Sequence, residues 1–140
     1  NPKVRLTGSG GNNDVGSLCE KLVFVGIQSP QKFVQKCDFI TTTGHMVDGV
    51  SRTDLGILGK GPVAVVSTAG VYDFDPATKR MRIKTLHPGV SADLAQLASG
   101  FELLRSEGEI PVTEVPSPEI LEILRHEVDP QGFFITMPGA

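Results

Sequence analysis

Near its start the chain reads Leu6-Thr7-Gly8-Ser9-Gly10-Gly11-Asn12-Asn13-Asp14-Val15-Gly16-Ser17. Three glycines in four positions follow a short β-prone piece, and a run that can turn helical comes next. Glycine adopts positive φ without strain and allows another molecule to approach the main chain closely. A strand, a glycine turn and a helix start together expose several backbone N–H groups, which suit a phosphate, a carboxylate or a developing oxyanion.

This stretch departs from three well-known glycine loops. The dinucleotide-binding fingerprint G-x-G-x-x-G fails because Asn13 stands where its third glycine belongs. The P-loop fails because Ser17 stands where its lysine belongs, and the nucleophile elbow fails because Thr7 replaces the glycine two residues before Ser9. The residues therefore indicate a site of backbone donors without its own nucleophile. A tight turn packed under a sheet is an equally open alternative.

The loop resembles the G-x-G-G-A-x-D loop in the β subunits of family I coenzyme A (CoA) transferases, and its residues are Gly8-Ser9-Gly10-Gly11-Asn12-Asn13-Asp14. Later stretches match the same family in the same order: Phe33-Val34-Gln35-Lys36-Cys37-Asp38-Phe39-Ile40-Thr41-Thr42-Thr43-Gly44-His45, Gly61-Pro62, Gly70-Val71-Tyr72-Asp73-Phe74-Asp75, Leu86-His87-Pro88-Gly89-Val90 and Ser99-Gly100-Phe101. Within that family, the chain is similar to the transferases that act on glutaconate and 3-oxoacids. The chain departs from the family at Asn12, where alanine is usual, and at Ser67-Thr68-Ala69, where an acidic or larger residue is common.

The resemblance implies an open α/β sheet of mixed strands, of the type shared with sugar-phosphate isomerases. It also implies that residues 1–140 are one α/β domain, the second half of a β subunit. The expected activity is transfer of CoA between an acyl-CoA and a free carboxylic acid through a glutamyl-CoA thioester. The nucleophilic glutamate of the family would lie before residue 1.

The expected site residues follow from the same resemblance. Gly10 and Gly11 would donate their N–H groups to the oxyanion of the tetrahedral intermediates. The other expected substrate-binding residues are Gly8, Ser9, Asn12, Asn13, Asp14 and His45. The CoA thioester is the expected substrate, with no permanently bound cofactor. The expected partners are an α subunit and the upstream part of the β subunit, in a hetero-oligomer.

Two other functions stay open. Some relatives hydrolyse ring or acyl bonds of CoA thioesters in steroid breakdown and lack the transferase glutamate, so an upstream E-x-G loop would distinguish a transferase. A non-catalytic CoA-binding or scaffold subunit is the third possibility.

Composition fits one globular domain. The chain has 140 residues, 39% hydrophobic and 21% charged, with a net charge of -3 and no dense basic cluster for nucleic acid. We expect no membrane span, and no metal site, since the three histidines share no ligand spacing. Cys19 and Cys37 stand among apolar residues, which predicts buried free thiols and fits a cytoplasmic setting.

Periodicity predicts the secondary structure. Strands are expected over residues 4–6, 22–25, 38–42, 63–67, 71–74, 81–86 and 101–104, the second of them buried on both faces. Helices are expected after caps at Asn13 or Asp14, Ser29, Ser91 and Ser117. The last helix would bury one apolar face, formed by Ile120, Leu121, Leu124 and Val128. Residues 43–62 form a glycine-rich connection that is expected to order against a partner. Arg80, Arg82 and Lys84 alternate on one face, either solvated or facing the phosphates of CoA.

Overall fold

The computed structural model describes residues 8–133. Its strands are β1 (Leu22–Gly26), β2 (Met46–Val47), β3 (Val50–Ser51), β4 (Pro62–Ser67), β5 (Gly70–Phe74) and β6 (Met81–Leu86). Its helices are α1 (Asn12–Leu18), α2 (Ala92–Leu97) and α3 (Pro118–Ile123), and a π-helical turn (Leu124–Val128) continues α3. The strand predicted over residues 4–6 lies outside the described residues.

Four strands form one mixed sheet in the order β1-β4-β5-β6, and β2 and β3 form a separate hairpin. β1 runs parallel to β4, whereas β4, β5 and β6 are antiparallel neighbours. The turn between β5 and β6 is held by Asp75, whose Oδ1 accepts from the N–H of Thr78 at 2.8 Å and of Ala77 at 3.2 Å. The open mixed α/β sheet predicted from the sequence is confirmed.

The core lies on one face of β5 and β6. Its buried hydrophobic residues are Ala69, Tyr72, Ile83, Leu86, Ala95 and Leu103. Tyr72 and Ile83 face each other across the hairpin and are both fully buried. The buried Gln28 joins α2 to this face: its Oε1 accepts from Ser67 Oγ and Tyr72 Oη, each at 2.7 Å, and its Nε2 donates to Ala95 O at 2.9 Å. Every polar group of this small network therefore has a partner.

Helix caps were predicted correctly at two of four positions. Ser91 accepts from the N–H of Leu94, and Ser117 accepts from the N–H of Ile120. The prediction for the first helix was wrong, because α1 starts at Asn12 and its N-cap is Gly11, with no side-chain cap. The glycine turn leads straight into the helix, so no capping side chain is needed there.

The helix predicted after Ser29 is only a turn. The N–H groups of Lys32 and Phe33 both bond Ser29 O, but Gly100 N then donates to Phe33 O at 2.6 Å. This tertiary bond takes the carbonyl that a continuing helix would need. The strands predicted over residues 38–42 and 101–104 are also absent from the described structure, except for a single parallel bridge between Arg82 and Leu104.

The burial predicted for strand β1 was wrong. Its apolar run predicted a strand covered on both faces, yet Val25 is 80% exposed and Val23 is 51% exposed. The strand forms where it was predicted, but among the strands of residues 8–133 it lies at the edge of the sheet.

Two further burial predictions were wrong. Ile120 and Val128, on the predicted core face of the last helix, are more than half exposed. Cys37 is exposed and Cys19 is only partly buried, although both thiols are free. Within residues 8–133 no helix has the length and apolar character needed to cross a membrane.

Candidate functional site

The glycine loop is a tight turn. Asn12 N donates to Ser9 O at 3.1 Å, which closes a four-residue turn with Gly10 and Gly11 at its centre. Gly10 has φ 57°, in the left-handed region, and Gly11 has φ -79° and ψ 4°. These φ values match a type II′ turn, which favours glycine at its first central position.

The N–H groups at the centre of this turn are free. Within residues 8–133 neither Gly10 N nor Gly11 N donates a hydrogen bond. A Cβ added at Gly8, Gly10 or Gly11 would meet nothing within 4 Å, so the space in front of the turn is open. Asn12, Asn13 and Asp14 form the exposed first turn of α1. The arrangement is thus an exposed set of backbone donors flanked by polar side chains, able to accept an anionic or polarised oxygen.

Two hydrogen bonds from residues 42–43 hold helix α1 in place. Thr42 Oγ1 donates to Asn12 O at 3.3 Å, and Thr43 N donates to Ser17 Oγ at 3.1 Å. Gly16 is buried against Thr42, and a Cβ there would lie 2.3 Å from the threonine methyl. Gly16 therefore serves close packing, and this packing sets the position of the glycine turn.

Arg52 holds the other end of α1. It is 4% exposed, and its guanidinium donates to four backbone carbonyls: Nη2 to Ser17 O at 2.6 Å and Leu58 O at 3.0 Å, Nη1 to Gly44 O at 3.1 Å and Thr43 O at 3.3 Å. A cation at the carboxyl end of a helix is also favoured by the helix dipole. This one side chain thus joins α1 to residues 43–44 and to the loop before β4.

Arg52 was not among the residues predicted from the sequence, because the predicted set held only groups that could face a ligand. Gly61 has φ 68°, and a Cβ there would lie 2.5 Å from Arg52 Nη1, so the glycine makes room for the guanidinium. The loop over residues 43–62 is accordingly not structureless: it contains the β2–β3 hairpin and folds around Arg52. Whether it also orders against a partner stays a prediction.

His45 lies next to residues 42–44, and no hydrogen bond joins it to the glycine turn within residues 8–133. Its ring meets the ring of Phe74 edge to face, with centroids 4.8 Å apart, and its buried Nε2 has no hydrogen-bond partner in the described part of the chain. Burial lowers the pKa of His45 below the usual 6.5, and the positive charges of Lys79 and Arg52 lower it further. The ring is therefore held in its neutral form near pH 7.

The remaining polar candidates are structural. His87 is held by Ser67 O at 2.8 Å and Thr113 Oγ1 at 3.1 Å. Arg82 forms a two-pronged ion pair with Asp73, and Arg80 pairs with Glu102, so two of the three alternating cations are already paired. No group of three or more His, Cys, Asp or Glu side chains within residues 8–133 has a metal-binding arrangement.

A family model described as Coenzyme A transferase matches residues 1–94. The chain belongs to the coenzyme A transferase family. The glycine turn, α1, residues 42–44, Arg52 and the whole four-stranded sheet all fall within the matched region. The family resemblance that was carried by the ordered loop motifs is confirmed.

Several curated proteins resemble this chain over most of its length. The B subunit of glutaconate CoA-transferase from Acidaminococcus fermentans is 33% identical over 138 residues, which are 98% of this chain and 51% of the relative. The B subunit of 3-oxoadipate CoA-transferase from Pseudomonas knackmussii is 33% identical over 124 residues, 89% of this chain and 47% of the relative. The cholesterol ring-cleaving hydrolase IpdB subunit of Rhodococcus jostii is 37% identical over 109 residues, 78% of this chain and 42% of the relative.

The fold agrees with these relatives. The crystal structure of glutaconate coenzyme A-transferase from Acidaminococcus fermentans superposes with a TM-score of 0.80 at 31% identity, covering 99% of this chain and 52% of that chain. The chain therefore spans about half the length of the curated relatives that it matches.

Proposed function

We propose that this chain is part of a CoA-transferase that moves CoA between an acyl-CoA and a free carboxylic acid, with residues 8–14 as the oxyanion and thioester site. One observation carries the proposal: in a member of the CoA-transferase family, the turn centred on Gly10 and Gly11 presents two N–H groups that have no acceptor within residues 8–133 and face open space. Ser9, Asn12, Asn13 and Asp14, together with Gly8, would contact the substrate around it, and His45 would contribute from the neighbouring segment.

The chemistry assigns the loop an electrostatic role. A glutamate carboxylate supplied from outside this chain attacks the thioester carbonyl of the acyl-CoA and expels the CoA thiolate, which leaves a mixed anhydride of the glutamate and the acyl group. The thiolate then attacks the glutamyl carbonyl and releases the first acid, which gives a glutamyl-CoA thioester, and the second acid takes up CoA by the same two steps in reverse order. Each step passes through a tetrahedral oxyanion. The Gly10 and Gly11 N–H groups would donate to that oxyanion, and loss of one such donor typically lowers kcat by about 10²–10³-fold.

The proposed assembly has more than one part. Two relatives are B subunits of CoA-transferases, and this chain spans about half of each. We therefore propose that residues 1–140 act as a single domain beside the remainder of a β subunit and an α subunit. The 140-residue chain alone should not transfer CoA, because the proposed nucleophile lies outside it. The free thiols of Cys19 and Cys37 support a reducing, cytoplasmic setting.

The test is CoA exchange in the assembled enzyme, with glutaconate and 3-oxoadipate as the first acids to be tried. Gly11→Val should reduce kcat by about 10²–10³-fold, since a branched side chain blocks approach to the donors. Its backbone has no positive φ, and the space beside it is open, so the chain should fold normally.

Gly10→Ala and Gly108→Ala make a matched pair. Both glycines have positive φ and open space around them, at 57° and 87°, so the backbone strain is similar in the two variants. Only Gly10→Ala should reduce turnover beyond what its stability change explains. Near-normal turnover in both Gly10→Ala and Gly11→Val would contradict the proposed role of the loop.

A second candidate is hydrolysis of a CoA thioester or of a ring in a CoA-linked substrate. It is favoured by the 37% identity to a relative named as a ring-cleaving hydrolase. The same oxyanion donors would serve, but water would replace the acid as acceptor. Incubation in ¹⁸O-labelled water separates the two: a hydrolase incorporates the label without a second acid, whereas a transferase requires that acid and returns its CoA thioester. A complex that binds CoA and does neither would be a non-catalytic assembly.

A further inference from the structure

A cavity of about 740 Å³ lies over the sheet, on the face that carries the core. Its floor is apolar and is formed by side chains of all four strands: Phe24, Val65, Phe74 and Met81. Phe24 pairs with Val65 and Val65 pairs with Tyr72, so one row of side chains runs from β1 to the buried core. The row is fully buried at Tyr72, whereas Phe24 is 44% exposed. The core is therefore packed beneath β5 and β6 and leaves a hollow towards β1.

The two ends of the segment 34–44, which we call the strap, form the opposite wall of the cavity. Hydrogen bonds hold both ends of the strap to other parts of the chain. Beside its first residue, Phe33 O accepts from Gly100 N at 2.6 Å, and near its last residue Thr42 Oγ1 donates to Asn12 O at 3.3 Å. Because the strap is anchored at two points, the space between it and the floor belongs to the fold.

The size and the lining of the cavity suit a hydrocarbon group. Ligand cavities usually have volumes of about 300–1,000 Å³ and mainly apolar walls, whereas packed interiors leave few voids larger than a water molecule. The two charged residues in the wall, Arg80 and Glu102, bind each other at 2.7 Å. Within residues 8–133 the wall therefore offers no unpaired charge, which favours an apolar chain over a second charged group.

The cavity and the glycine turn are joined through one residue. Thr42 lines the cavity, and its hydroxyl donates to the carbonyl oxygen of Asn12, whose own N–H closes the glycine turn. A substrate carbonyl that accepts from the N–H groups of Gly10 and Gly11 would thus lie near this wall. The chain attached to that carbonyl can then pass Thr42 and enter the cavity.

We propose that the cavity between the strap and the sheet holds the hydrocarbon chain of the acid that exchanges CoA. The substrate class is then a monocarboxylic acid with an apolar chain of several carbons. Phe24, Val34 and Val65 contact that chain and set its length. The inference rests on the proposed function, because the carbonyl of the same acid is placed at the glycine turn.

A series of acceptor acids tests the substrate class in the assembled enzyme. With propionyl-CoA as the donor, kcat/KM for the acceptor should rise about fourfold for each methylene added between acetate and hexanoate, because each methylene is buried against apolar side chains. Adipate has the length of hexanoate and a second carboxylate, and its kcat/KM should be at least about tenfold lower because that charge would lose its water. Values that do not change with chain length, or a preference for adipate over hexanoate, would overturn the proposal.

Substitutions that fill the cavity test its location. Val34→Phe adds a ring from the strap, and Val65→Phe adds one from the floor. In each variant the ratio of kcat/KM for hexanoate to kcat/KM for acetate should fall at least about tenfold. Val115→Phe, at an exposed valine outside the cavity wall, is the matched control and should keep the wild-type ratio. Both acids are measured on one preparation, so partial misfolding leaves the ratio unchanged, and a wild-type ratio in both filled variants would contradict the proposal.

Equilibrium dialysis with radiolabelled hexanoate separates this inference from the proposed function. The assembled wild-type enzyme should bind hexanoate at least about tenfold more tightly than Val34→Phe does. If that difference is found in an enzyme that transfers CoA to no acid, the cavity is supported and only the proposed function fails. If CoA is transferred but wild type and Val34→Phe bind hexanoate equally, the proposed function stands and the cavity does not hold the chain.

Discussion

The core beneath β5 and β6 and the region around the glycine turn are built on different principles. In the core, Tyr72 and Ile83 are fully buried, and the one polar network, around Gln28, is completely paired. Around the turn, the Gly10 and Gly11 donors are exposed and have no acceptor in the part of the chain that the structure describes.

The difference shows how this chain can expose backbone N–H donors at the glycine turn without losing its structure. Apolar burial stabilises the hairpin, whereas the turn is positioned mainly by polar contacts to its supporting helix. Arg52 and Thr42 bond backbone oxygens of α1, and a backbone contact fixes position while leaving the functional N–H groups free. Substitutions in the two regions should therefore change different measured quantities.

The largest expected effect is on the core. Ile83→Ala should lower the free energy of unfolding by about 2–5 kcal/mol, because it leaves a cavity at a fully buried position. Urea denaturation of the 140-residue chain measures this. Leu97→Ala, in α2 at a residue that is 75% exposed, is the control and should cost far less. A comparable loss at both positions would contradict the location of the core.

Arg52→Met should have the next largest effect on the free energy of unfolding, and its local effect should be concentrated in α1 and residues 43–45. It leaves four carbonyls without their charged donor, so we expect about 2–3 kcal/mol of destabilisation. Amide hydrogen exchange should accelerate in α1 and residues 43–45 more than in β5 and β6. Arg52→Lys should be intermediate, because lysine keeps the charge without the planar fork.

Arg105→Met is the control for Arg52, since Arg105 forms an exposed ion pair with Asp93. It should leave the exchange pattern unchanged. Uniform acceleration across the whole chain in Arg52→Met would show that Arg52 belongs to the global core and does not specifically position α1.

Tyr72→Phe is a smaller and more conservative change. It removes the hydroxyl that donates to Gln28 Oε1 and keeps the buried ring. Because Ser67 still donates to the same oxygen, we expect a loss of about 1 kcal/mol in chemical denaturation. Unchanged stability would show that the hydroxyl is not needed to hold Gln28 in place.

The smallest expected effect is a pH dependence carried by His45. Its folded pKa lies below the ordinary 6.5, so the unfolded chain takes up the proton first as the pH falls. Its contribution to stability is therefore complete above pH 6.5 and is lost as the pH falls through the lower, folded pKa. His45→Gln should flatten the stability profile on the acid side of neutrality. Identical profiles for wild type and His45→Gln would contradict the prediction.

Local sequence signals determined much of this chain. Periodicity predicted the strands over residues 71–74 and 81–86, and Ser91 and Ser117 were predicted as the caps of α2 and α3. The order of the glycine loop and the later motifs identified the family. Each strand, cap and motif is encoded by a few neighbouring residues, so it can be predicted from the sequence alone.

Only the tertiary structure decided what depends on distant residues. The N–H of Gly100 donates to the carbonyl oxygen of Phe33, and this bond ends a helix that the local sequence favours. The guanidinium of Arg52 donates to carbonyls in three separate segments, although nothing beside this residue in the sequence indicates a buried cation. An apolar run predicts a strand at residues 22–25 but not what covers it. The 80% exposure of Val25 shows that little of residues 8–133 packs on its side of the sheet, and such packing depends on segments far apart in the chain.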